Sequence, residues 1–272
     1  MAGWRWKLTP GLAALAGALV LVGTATAQEV RDHGTSTRGL VRDGSAVAEA
    51  SALLAQTSVT CLVADARLRG RDERGSAQYE VACDDGPGFL VVTAPRIAAI
   101  ICLALATGGG PRAPTCRLPA NRNVLAHFRR AASAAGVVCR VDRGRYVGLT
   151  TGGAEIYEIG CDGLAGGWVV WSRGDASFKS CLIVEVEGGT CTLTSAAERL
   201  ATAAQLLRGS AVETCAPVEA RFMGASAGIQ HYEVRCRAGD HVVARLPCEG
   251  GPPDIVPCEA ATLIGGGCRF TP

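Results

Sequence analysis

Four histidines, His33, His127, His231 and His241, are the side chains best suited to moving a proton near neutral pH. His33 falls in a leader-like segment, so His231 and His241, the latter beside Asp240, are the candidates for a general base. The candidate nucleophile is Cys248, the one cysteine of 13 outside a regular spacing. With His241 upstream and the loop-like run Glu249 to Asp254 behind it, it can be drawn as a Cys/His dyad. Three plainer fates compete for such a thiol in an exported chain: burial, an intermolecular disulfide or a rearranged pairing. His-Glu-x-x-His, Gly-x-x-x-x-Gly-Lys and dinucleotide-binding patterns are all missing. No catalytic residue is assigned, no cofactor or metal is expected, and the reading leans away from an enzyme.

The other twelve cysteines fall in three groups of four: Cys61, Cys83, Cys102, Cys116; Cys139, Cys161, Cys181, Cys191; and Cys215, Cys236, Cys258, Cys268. Tyr79-Glu80-Val81 ahead of Cys83 matches Tyr157-Glu158-Ile159 ahead of Cys161 and Tyr232-Glu233-Val234 ahead of Cys236. Arg67, Arg145 and Arg221 follow the first cysteine of their groups by six residues, and Gly70, Gly148 and Gly224 by nine. Glycine pairs at 108–109, 188–189 and 265–266 also keep the phase. Agreement among independent landmarks marks an internal repeat of about 77 residues. There is no Cys-x-x-Cys pair and no histidine at ligand spacing, so disulfides rather than zinc are expected. A turn lies midway between the first and second cysteines of each group, which favours pairing first with second and third with fourth. The recurring arginine, tyrosine and glutamate are expected to hold the fold through a cross-strand ion pair or ring contact.

Trp168 and Trp171 are the tryptophans left once the amino-terminal segment is removed. Their odd spacing places them on opposite faces of a strand, so one can be core and the other a binding contact.

Each first cysteine is preceded by an alanine-rich stretch of good helix propensity: Ser45 to Gln56, Asn123 to Ala135 and Ser195 to Arg208. The last opens with a capping box, Ser195 and Glu198. Three β-type runs separated by turn residues follow. The segment from third to fourth cysteine reads as a short helix ended by glycine, and the apolar run Ile97 to Ala106 as core, being too short to span a membrane. The expected fold is therefore α+β, with three tandem stapled repeats at residues 44–118, 119–193 and 194–272, each a helix plus a three-stranded antiparallel sheet. In plan this helix-with-sheet tandem resembles the β-lactamase inhibitory proteins; the resemblance is architectural and carries no site residue.

Arg5 and Lys7, an uncharged run from Gly11 to Val22, and Ala25-Thr26-Ala27 form a signal peptide, with cleavage expected after Ala27. No cysteine lies near that point to accept a lipid. Residues 28–43 read as a flexible leader. Cleavage removes two of 27 basic residues and no acidic ones, leaving 25 against 25. A neutral chain lacks the field that draws proteins to nucleic acid, and no membrane span remains. Scarce lysine with abundant alanine, glycine and arginine suits a GC-rich bacterial genome, and a periplasmic or secreted location. A unit of this size gains only about 3–5 kcal/mol from its core, so disulfides must supplement it. The functional expectation is a non-catalytic exported protein that binds a protein or cell-envelope partner. The alternatives are an inhibitor of an exported hydrolase, or an enzyme with a Cys/His site in the third repeat.

Overall fold

The computed structural model describes residues 44–270 apart from 74, 85, 109–113 and 173–174. The expected signal peptide and leader lie outside the described residues. The chain divides into two compact units, one running to Asn123 with Gly148–Gly153 added, the other formed by Val124–Val147 and Ala154 onward.

The first unit opens with α1 (Gly44–Leu54), in which Ala46, Ala50 and Leu54 are buried. Their spacing of four makes one narrow apolar stripe, and alanine lets the helix lie close against the sheet beneath it. That sheet contains β1 (Val63–Arg71), β2 (Ala77–Cys83), β3 (Phe89–Val92) and β4 (Ala98–Ile101), paired antiparallel in sequence order. Both faces of β2 are buried, as expected of a central strand with Tyr79, Val81 and Ala82 in the core. The helices α2 (Cys102–Gly108) and α3 (Pro119–Arg122) follow.

The second unit repeats this order twice. Helix α4 (Val124–Ala134) leads into β5 (Val141–Leu149), β6 (Glu155–Cys161), β7 (Leu164–Ser172) and β8 (Asp175–Ser180), then α5 (Cys181–Val186). Helix α6 (Ala196–Leu206) leads into β9 (Pro217–Ser226), β10 (Ile229–Cys236), β11 (His241–Pro247) and β12 (Asp254–Pro257), then a 3-10 turn at Cys258–Ala261. Each set of four strands forms one antiparallel sheet in chain order. The capping box of α6 is formed in full: the Ser195 hydroxyl accepts from the Glu198 amide, and the Glu198 carboxylate accepts from the Ser195 amide. Leu207, Val234, Val242 and Ala244 make the core between α6 and the last sheet.

The fold is thus α+β with three antiparallel sheets, but each sheet has four strands where three are expected from the sequence. The extra strands β4, β8 and β12 are only four to six residues long and end against the third cysteine of each group. In the first sheet the strand and the helix after it share one apolar run, Ile97 to Ala106, which carries no period to separate them.

Six disulfides join Cys61–Cys83, Cys102–Cys116, Cys139–Cys161, Cys181–Cys191, Cys215–Cys236 and Cys258–Cys268. The first of each pair of bridges clips the ends of a hairpin; the second closes the helical turn after the fourth strand. Such bridges suit an oxidising compartment and a cysteine-rich exported protein. No helix among the described residues is long and apolar enough to cross a membrane.

Candidate functional site

Glu80, Glu158 and Glu233 stand in the middle strands of the three sheets and are buried to 1%, 0% and 0% exposure. Buried carboxylates are tolerable only when paired and fully hydrogen-bonded. Glu80 Oε1 accepts from the backbone amides of Arg117 and Leu118, each at 2.6 Å, while Arg69 Nη1 donates to Oε2 at 2.5 Å. Glu158 Oε1 accepts from Thr192 and Leu193 amides at 2.6 Å, with Arg145 Nε on Oε2 at 2.6 Å. Glu233 Oε1 accepts from Arg269 and Phe270 amides at 2.8 Å, with Arg221 Nε on Oε2 at 2.5 Å. The amides always belong to the two residues after the fourth cysteine, so each carboxylate latches the departing chain to its sheet.

A further donor completes each latch: Asn121 Nδ2 on Glu80, Thr192 Oγ1 on Glu158 and His241 Nε2 on Glu233. Burial opposes the charge on Glu80 and Glu233, but the amide and side-chain donors outweigh it and hold both below the usual carboxylate range. In the first sheet the expected partner Arg67 is exposed, although its backbone faces Glu80 across the ladder. Arg69, two residues on along the same face, makes the ion pair instead, and its Nη1 also donates to the carbonyl of Thr115 at 3.0 Å.

Each latch lies against the second disulfide of its group, and only the third adds an imidazole: Glu233, His241, Cys258 and Cys268 offer donors within 4.8 Å of one another. Both sulfurs are tied as a disulfide. Metal ligation needs thiolates, which this bridge withholds.

The proposed dyad does not assemble. His241 opens β11 and Cys248 follows its last residue, so seven steps of strand rise separate them by about 23 Å. Cys248 is exposed and unbridged, and its amide donates to Gly228 at 2.8 Å. His241 holds the Glu233 latch, with Asp240 beside it in the preceding turn. His231 is buried, and its Nε2 lies 3.2 Å from Ser226 Oγ. Its Nδ1 is buried without a partner, so the carboxylate that would orient a catalytic imidazole is lacking. Burial, with Arg245 nearby, also lowers the proton affinity of His231.

A different cluster surrounds the strand tyrosines. Tyr79 donates to the Glu49 carboxylate and accepts from Arg71 Nη2 at 3.3 Å; Arg71 and Glu49 approach to 3.7 Å. These three residues, with Ala52, Leu53 and Thr93, line an open cavity of about 290 Å³. In the second unit, Tyr157 donates to Glu155 and meets the ring of His127 edge-on, with centroids 5.1 Å apart. His127 is 5% exposed, neither ring nitrogen has a partner, and Phe128 and Trp171 lie 6.2 and 6.0 Å away. Burial and then the charge of Arg130 push its pKa down to about 4. Glu155 is pushed up by burial, against the hydrogen bond from Tyr157. Burial also raises Tyr146, beside Tyr157, to about 12.

Both tryptophans are half-buried. Trp168 packs on Val184 and the Cys181–Cys191 bridge, its indole nitrogen buried without a partner; Trp171 belongs to the His127 cluster. Sequence reasoning passed over Glu49 and His127. Each stands twelve residues before the first cysteine of its group, on the helix face toward the tyrosine, and that shared offset is the signal available.

No protein-family model, curated protein or solved structure matches the chain.

Proposed function

We propose that the mature chain is a non-catalytic exported binding protein built from three cysteine-stapled repeats, residues 44–118, 119–193 and 194–272, which engages a protein or cell-envelope component in the periplasm or outside the cell. The observation that carries this reading is the employment of the groups capable of chemistry. His241 holds the Glu233 latch, His231 lacks an orienting carboxylate, and Cys248 stands about a strand's length from the nearest candidate base on its own strand. Trp171, half-buried against the ring of His127, supplies the aromatic contact that binding sites favour.

The test pairs two measurements on the oxidised mature protein. Immobilised protein is exposed to purified peptidoglycan, lipopolysaccharide, lysozyme, β-lactamase and envelope proteases, with enzyme activities followed alongside. Saturable binding that weakens at least tenfold in Trp171→Ala supports the reading. A fluorophosphonate probe that labels Ser226, or hydrolysis of an ester that vanishes in His231→Ala, would replace it with a serine hydrolase.

A further inference from the structure

The tyrosine face of the third sheet is covered by the chain itself. Leu182, with Ile183 beside it on α5, packs against Phe222 and Tyr232, and Leu206 and Leu246 close the cluster. Strand register equates Tyr79 with Tyr232, since they pair with Val91 and Ala244 at matching points of their hairpins. By the same register Thr93 stands in the place of Leu246, and Leu53, one residue before the last buried leucine of its helix, in that of Leu206. The site that Leu182 fills in the third sheet is, in the first, the open cavity of about 290 Å³. Since a dry cavity of roughly 150 Å³ holds a benzene ring, this one has room for two aliphatic side chains.

After β12, the 3-10 turn at Cys258–Ala261 holds the position that α5 holds after β8. Leu182, Ile183 and Val186 follow Cys181 by one, two and five residues; Glu259, Ala260 and Leu263 follow Cys258 by the same steps. Leu263 is 98% exposed, whereas Val186 is 54% exposed. Where the inner turn offers Leu182, the last turn offers the carboxylate of Glu259. The first cavity likewise differs from its inner counterpart by a charged rim, Arg71 and Glu49, each 52% exposed.

We propose that the cavity beneath Tyr79 receives the Cys258–Leu263 turn of a second copy of this chain, with Leu263 and Ala260 entering and Glu259 meeting Arg71. The contact sets the turn where α5 lies on the third sheet, with Ala260 in the place of Ile183 and Leu263 reaching in from the place of Val186, and it rests on the repeat reading above. Its two sides are different surfaces, so the association is head-to-tail and can continue into open chains or close into rings.

Sedimentation velocity on the oxidised mature protein, from low micromolar to near-millimolar concentration, reads it directly. The weight-average mass is expected to climb at least twofold. Leu263→Asp spoils the entering turn, and Ala52→Trp, an exposed helix position on the cavity wall, fills the receiving site. Each variant alone stays monomeric. An equimolar mixture forms one dimer that cannot extend, because a single good turn then meets a single good cavity. Wild-type protein that stays monomeric, variants that associate like wild type, or a mixture that stays monomeric each overturns the proposal. A monomer whose thermal stability falls on Ala52→Trp would assign the cavity to residues 28–43 of the chain itself. Disulfide mapping of the same samples keeps the two readings apart: native bridges without association remove the contact and leave the binding-protein reading standing.

Discussion

His127 provides a direct measure of what its unpartnered ring costs. An exposed histidine titrates near 6.5, and burial with Arg130 nearby holds this one at about 4. The unfolded chain therefore binds a proton between those values that the folded chain refuses. Stability is unaffected by this group above pH 6.5, falls as the pH drops toward 4, and levels off below it. A difference of about 2.5 pKa units at 1.36 kcal/mol each gives a loss of about 3 kcal/mol by pH 4. In His127→Phe the aromatic contacts to Tyr157 and Trp171 persist but the titration is gone. At pH 7.5 the variant is expected to be equal or more stable, since two buried nitrogens without partners cost about 1–3 kcal/mol each and the larger ring recovers only part. Urea denaturation of both proteins at pH 7.5, 5.5 and 4 is the assay. Comparing variant with wild type cancels every other titrating group, including His231, Glu80 and Glu233. The gap should widen by about 3 kcal/mol, or roughly 6–12 °C in Tm for a chain of this size. Parallel stability curves across that pH range would show that His127 is hydrated or charged in the folded protein, and the argument would fail.

Three other outcomes are expected. Glu233→Gln leaves the Arg221 guanidinium, 16% exposed, without its anion, and should cost about 3–5 kcal/mol in chemical denaturation. The Glu80 and Glu233 latches have folded pKa values below the unfolded ones, so their contribution is complete above pH 4.5 and disappears as the pH falls through the folded values; circular dichroism during acid titration should show unfolding steepen there. Native protein treated with a maleimide should take up one equivalent, at Cys248, while Cys248→Ser leaves Tm unchanged within a degree or so, the usual result at an exposed site.

The readable parts of the fold were those set by local chemistry. Alanine-rich runs with polar ends form α1, α4 and α6 within two residues of the expected limits, and Ser195 with Glu198 closes its cap. The hairpin disulfides follow from a turn at the midpoint between cysteines, a geometry fixed by strand pairing. The fourth strands escaped because Ala98–Ile101 merges with α2, while Asp175–Ser180 is polar and at a sheet edge, where alternation is weakly enforced. Glu80, Glu158 and Glu233 stood out by recurrence, yet the amides that hold them lie 34 to 38 residues away, and backbone amides leave no trace in residue identity. Arg69 took the place of Arg67 at a ladder irregularity between Leu68 and Gly70; the same irregularity recurs between Phe222 and Gly224, where residue 223 is a methionine and Arg221 keeps the ion pair, so alternation alone does not reveal which arginine pairs. Tyr79, Tyr157 and Tyr232 were legible as a set, but the differing helix residues above them, Glu49 and His127, broke the match on which a repeat search depends.

The linear order of the bridges bears on how the protein acquires them. Through the first ten cysteines, each partner is the next cysteine to be synthesised, so oxidation in order of emergence yields native connectivity without reshuffling. Cys248 breaks that sequence: it stands ten residues before Cys258, and Cys268 stands ten residues after it. Two thiols thus compete for Cys258 on equal loop lengths, and a chain that closes 248–258 first must undergo thiol–disulfide exchange before the Glu233 latch can form. An isomerase or a redox buffer therefore matters most for the last three cysteines, where a closed 248–258 bridge has to be exchanged, whereas pairing in order serves the first ten.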